Sequence, residues 1–165
     1  MTTPLAYDKS RLLAILAQHN EGLPPNLLQA VAQTESGINP TAKSPMGALG
    51  MMQLMPHTAK ELNVDPLSVN QSIQGAAKYL KSLMNSRRFN RTDLDAVLTK
   101  YNAGPRAGAE MLLGQRPYTK EALEYPSKVK KILEKLNREA SIQEQQRSEY
   151  SPLNLYRDPL LDQLR

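Results

Sequence analysis

The sequence predicts an all-α protein, and three observations carry that reading. Apolar residues recur at helical spacing in stretch after stretch. No stretch alternates apolar and polar residues as a half-buried strand would. Glycine and proline cluster between the periodic stretches, where helices have to stop.

Taken in order, Leu12, Leu13 and Leu16 mark a first helix, capped at Asp8 or Ser10. Gly22-Leu23-Pro24-Pro25 is a break. A second helix is expected from Pro25 to Ser36, with proline suited to its first turn and Gly37 to its C-terminal stop. Residues 37–50, rich in Gly, Pro, Ser and Asn, read as a loop. A short helix is expected near 48–54, and another opening at Pro56. Ile73, Ala76, Ala77, Leu80, Leu83 and Met84 form one stripe at helical period. Leu94, Val97, Leu98 and Tyr101 form the next, and Val129, Ile132, Leu133 and Leu136 the last. There is no internal repeat.

The chain has 165 residues, 40% of them hydrophobic, enough for one compact core. Composition shifts after Ala140. Ser141–Ser148 is polar, and Tyr150–Arg165 mixes Leu153, Leu155, Tyr156, Leu160, Leu161 and Leu164 with Pro152 and Pro159. The expected organisation is a domain over 1–140 and a tail over 141–165. The tail is either loosely ordered or an extended peptide that docks on another protein or on the domain. There is no cysteine, and His19 and His57 are far apart. Disulfides, thiol nucleophiles, a histidine metal site and a Ser-His-Asp triad are therefore not expected. No metal or cofactor is implied. No apolar run reaches the roughly 18 residues that cross a bilayer. The longest apolar stretch near the N-terminus, Leu12–Ala17, is too short for a secretory signal. The chain is therefore expected to be made in a cytoplasm, with no signal peptide and no membrane span. A net charge of +5 suits either an anionic partner or a solvated basic face. Lys78, Lys81, Arg87, Arg88 and Arg91 are the candidate patch. It lacks interleaved aromatics and any nucleic-acid motif, so nucleic acid is not expected as a partner.

Glu35 is the most informative residue. Steps of about 100° put Leu28, Val31 and Glu35 on one stripe of the second helix. An acid thus lies on the face meant for burial, in the last turn, where the helix dipole disfavours a carboxylate. Both effects raise its pKa toward what a general acid needs near neutral pH. A surface Glu at a fraying helix end is the plain alternative. From Gly37 to Lys60 there is no Asp or Glu, so the following segment supplies no second carboxylate of the kind glycosidases pair across a scissile bond.

Glu35-Ser36-Gly37 is followed by Ser44-Pro45-Met46-Gly47-Ala48-Leu49-Gly50-Met51-Met52-Gln53-Leu54-Met55-Pro56. Then come Tyr101-Asn102-Ala103-Gly104-Pro105, Glu121 through Tyr125, and Lys128-Val129. In order and spacing, residues 23–137 resemble the soluble lytic transglycosylase family, the lysozyme-like peptidoglycan-cleaving domain. The resemblance implies a lysozyme-like helical fold with a substrate groove. It also implies cleavage of the β-1,4 bond between N-acetylmuramic acid and N-acetylglucosamine, leaving a 1,6-anhydromuramic end.

Carried over by residue, Glu35 matches the single catalytic glutamate, acting first as acid and then as base on the muramoyl C6 hydroxyl. Ser36 matches the neighbouring serine that bonds substrate or holds the site. Met52 matches an adaptable apolar wall, with plain core as the equal alternative, and Gln53 a donor and acceptor for an acetamido or peptide group. Tyr101 matches a tyrosine whose hydroxyl points at the glutamate. Asn102 matches a substrate or turn residue, and Tyr125 a groove-lining tyrosine. Lys100, Ala122 and Pro126 depart from the family pattern. Pro126 suggests that the last helix starts there. Similar domains in phage particles suggest a virion-associated enzyme, delivered to the host periplasm and cell wall, whose tail binds a virion or tail protein. A muramidase of the same fold, and a virion scaffold that retains the domain, are the alternatives.

Overall fold

The computed structural model describes residues 8–20, 22–85, 93–115 and 119–150. It contains helices α1 (Lys9–Gln18), α2 (Leu27–Ser36), α3 (Pro56–Glu61), α4 (Val69–Asn85), α5 (Leu94–Leu112) and α6 (Lys120–Glu149), and no strand among the described residues. Two isolated bridges, Lys43 to Leu49 and Leu49 to Leu54, are the only β-type pairing there.

Helix α2 runs through the core. Leu27, Ala30, Val31 and Ala32 are fully buried because α1 and α6 cover it. Asn26 enters it at φ 61 and donates from Nδ2 to Asn137 Oδ1 of α6 at 2.9 Å. The helix therefore starts two residues after the predicted Pro25. It ends as expected. Gly37 adopts φ 64, and Ile38 N–H reaches Ala32 O at 3.3 Å while Gly37 N–H reaches Gln33 O at 3.1 Å. Asp8 caps α1 by accepting from Arg11 N–H at 2.7 Å. The α4 stripe is buried at Ile73, Ala76, Ala77, Leu80 and Leu83, with Met84 packed against it.

Three sequence expectations are corrected. Residues 48–54 form a turn, not a short helix. Gly47, Gly50 and Gln53 have φ of 90, 73 and 47, which right-handed helix does not allow. Leu49 and Leu54 instead exchange N–H···O bonds of 3.0 and 3.1 Å. Helix α6 starts at Lys120, not Pro126. Thr119 caps it through Oγ1 to Ala122 N–H at 3.1 Å, so capping sets the start. Pro126 lies buried inside the helix and leaves Ala122 O without its usual i+4 donor. Finally, α6 continues without a break through the 140/141 boundary to Glu149. Residues 137–150 are exposed, so the polar stretch Ser141–Ser148 is helix, held without covering layers. Residues 151–165 of the expected tail lie outside the described residues.

Candidate active site

Glu35 is the last residue but one of α2, on the predicted stripe with buried Leu28 and Val31. Its carboxyl is partly buried, and α6 brings a tyrosine to it. Tyr125 donates its hydroxyl to Glu35 Oε1 at 2.6 Å. Burial pushes the Glu35 pKa up to about 7, the Tyr125 bond pulls it back, and the Glu121 charge adds to the rise. Near neutral pH both protonation states of the group are therefore accessible. Tyr125 occupies Oε1, and Oε2 carries no hydrogen bond among the described residues. Oε2 is thus the oxygen left to give up and take back a proton.

The tyrosine that reaches the acid is not the one expected. Tyr101 lies on α5 and donates to Met52 O at 3.0 Å, not to Glu35. Tyr125, expected along the groove, is 4% exposed and holds the acid. The reason is packing geometry. Tyr125 rides α6 where it crosses α2, whereas Tyr101 faces the loop after α2 and stacks on Tyr79, ring centroids 5.6 Å apart. Burial and the nearby Glu35 charge raise both hydroxyl pKa values well above normal, so both stay donors.

Of the two readings of Met52, the structure has plain core. Its side chain is fully buried in the core, so it cannot form a wall against a ligand in this structure; its contribution is its carbonyl. Ser36 spends its hydroxyl inside the protein. It donates to Met51 O at 2.8 Å and accepts from Asn39 N–H at 3.0 Å. Gln53 is partly buried at φ 47, a conformation that costs about 1–3 kcal/mol for a residue with a side chain. Its Nε2 donates to Gly50 O at 2.7 Å and to Ala42 O at 3.3 Å, leaving Oε1 as the available acceptor. Asn102 is partly exposed on α5 and makes no hydrogen bond among the described residues.

The loop that carries Gln53 is tied down closely. A Cβ on Gly50 would stand 1.9 Å from Pro66 O, so backbone meets backbone there. Gly104 interrupts α5 at φ 85, ψ −178, just after Tyr101 and Asn102 and just before Pro105, which disfavours helical geometry in the residue preceding it. Glu121 and Tyr79 were not singled out as site residues from sequence. The usable signal was the i, i+4 spacing of Glu121 and Tyr125 on one helix. Tyr79 carried no signal beyond its place beside the α4 stripe. Of the basic patch, Lys78 and Lys81 are exposed on α4; Arg87, Arg88 and Arg91 lie outside the described residues. A cleft of about 550 Å³ lined by Gly22, Leu23, Pro24, Lys81, Met84 and Asn85 includes none of the site residues.

Comparison with known proteins adds to this geometry. The family described as Transglycosylase SLT domain matches residues 13–122. The transglycosylase of Enterobacteria phage PRD1 is 38% identical over 119 residues, 72% of this chain and 40% of that protein. Membrane-bound lytic murein transglycosylase F of Shewanella loihica is 49% identical over 59 residues, 35% of this chain and 12% of that protein. The chain thus spans less than half the length of these relatives. Among solved structures, the 70 kDa soluble lytic transglycosylase SLT70 of Escherichia coli superposes with TM-score 0.57 and 25% identity, over 71% of this chain and 22% of that one. An inactive variant of lytic transglycosylase Slt from Pseudomonas aeruginosa has TM-score 0.50 and 20% identity, over 76% of this chain and 23% of that one, a likeness of fold.

Proposed function

This chain belongs to the transglycosylase SLT domain family, and from that membership we propose that it is a peptidoglycan lytic transglycosylase. It cleaves the β-1,4 bond between N-acetylmuramic acid and N-acetylglucosamine. The observation that carries the reading is the partly buried Glu35 carboxyl, with Oε1 held by Tyr125 and Oε2 without a hydrogen bond among the described residues, its pKa raised to about 7 mainly by burial. Glu35 protonates the glycosidic oxygen as the C1–O bond breaks and positive charge builds on the muramoyl ring. The carboxylate so formed takes the proton from the C6 hydroxyl as that oxygen bonds to C1. The product is a 1,6-anhydromuramic end, and Glu35 finishes protonated for the next cycle. One residue near pKa 7 serves both steps because neither protonation state is strongly disfavoured at working pH.

The similarity to the phage PRD1 transglycosylase supports a finer reading. The domain is virion-associated, is delivered to the host periplasm, and opens the wall locally as phage DNA enters. Residues 141–165 then bind a virion or tail protein. A muramidase has one observation in its favour, namely that a second carboxylate, Glu121, is near enough for its charge to act on Glu35. Digestion of purified sacculi, with mass spectrometry of the soluble muropeptides, separates the two. Anhydromuramic products that vanish in Glu35→Gln are expected. Reducing ends lost in the same variant would replace transglycosylation with hydrolysis.

A further inference from the structure

Two helices reach into one turn of the site loop and take hold of adjacent peptide units. Gln53 sits in the left-handed region that residues with a Cβ avoid. Immediately before it, Met51 O accepts the Ser36 hydroxyl at 2.8 Å and Met52 O accepts the Tyr101 hydroxyl at 3.0 Å. Ser36 is the last residue of α2, next to Glu35; Tyr101 lies on α5. Glycine would adopt φ 47 without strain, as Gly47 and Gly50 do in the same loop at φ 90 and 73. Glutamine is held there against its preference, and its amide nitrogen is spent on Gly50 O and Ala42 O. What remains is a single acceptor, Oε1, with no hydrogen bond among the described residues.

We propose that Ser36 and Tyr101 are positioning residues. Their hydroxyls clamp the Met51-Met52 backbone, keep Gln53 in its strained conformation, and fix Oε1 relative to Glu35 so that it accepts an N–H from the substrate. The clamp links the acid to the acceptor through one residue, since Ser36 follows Glu35 directly. The substrate part of this proposal rests on the transglycosylase reading; the hold on the turn does not. Tyr101→Phe is a clean probe, because the ring that stacks on Tyr79 is retained.

The test uses the full chain as wild type, Tyr101→Phe, Ser36→Ala and Ser36→Thr. Without substrate, amide exchange at Gln53 and Leu54, bonded to Gly50 O and Leu49 O, is expected to quicken about tenfold in Tyr101→Phe and Ser36→Ala. Amides of Ala76 and Leu80 in α4 should keep their rates. On soluble uncross-linked glycan strands, KM is expected to rise about three- to tenfold with kcat within about twofold. The alkaline limb of the pH profile should stay in place, and Ser36→Thr should restore KM. Unchanged exchange at Gln53 and Leu54 overturns the clamp, whatever happens to activity. Faster exchange throughout α4 also overturns it, as does a kcat loss with a displaced pH limb, which would put both hydroxyls on the Glu35 proton. A wild type that releases no product sinks the transglycosylase reading alone, because the exchange arm still judges the clamp.

Discussion

Glu35 is held between opposing influences, and the balance can be moved. Burial and the Glu121 charge favour its neutral form, while the Tyr125 hydroxyl favours the carboxylate. An acid that must be protonated to act loses activity as pH rises through its pKa, here about 7. Removing the Tyr125 hydroxyl takes away a hydrogen bond that favours the charged form, so the pKa rises further. Tyr125→Phe should therefore shift the alkaline limb of the pH–rate profile upward by about one unit, read on sacculi across a pH series. A downward shift would mean that the hydroxyl stabilises the protonated acid instead. The acid was legible in the sequence because its helical angle and its place beside Gly37 are local facts. Which tyrosine would reach it was not. Tyr101 and Tyr125 are 66 and 90 positions from Glu35, and only the crossing of α2 by α6 selects the second.

At the scale of elements, the helices followed from periodicity, and their irregular points from backbone chemistry. The loop 37–55 was misread in part, since Leu49, Met51, Met52 and Leu54 look helical, yet the left-handed residues among them make turns. The kink in α5 is carried by Gly104, at φ 85 and ψ −178, a region essentially reserved for glycine. A Cβ there meets nothing within 4 Å, so Gly104→Ala isolates backbone strain. It should cost about 1–3 kcal/mol in urea unfolding. Gly50→Ala adds a collision with Pro66 O to a φ of 73, and should cost more and lower activity with it. Equal costs would show that the loop can shift to admit a Cβ. The start of α6 was misplaced for a related reason. Proline marks a helix start statistically, but Thr119 accepts Ala122 N–H and starts the helix at Lys120, six residues earlier.

At the scale of the molecule, the described residues form a core built around α2 and a helix that outruns it. Past Asn137, α6 is exposed on every side, so its last turns contribute little to the core. A chain ending at Ala140 is expected to keep its melting temperature within about 3 °C and to release muropeptides from soluble strands as the full chain does. A large loss of either would place residues 141–165 in the domain rather than beyond it. The helical class, most helix ends and the inward place of Glu35 were readable from the chain alone, because spacing and capping act over a turn or two. The corrections at the site concern contacts between distant segments: Tyr125 on Glu35, Tyr101 on the turn before Gln53, and Met52 withdrawn into the core. Sequence pattern says which face of a helix is turned inward. Only the packing of one helix against another decides which side chain each inward group meets, and in this site that meeting sets the proton and the shape of the loop.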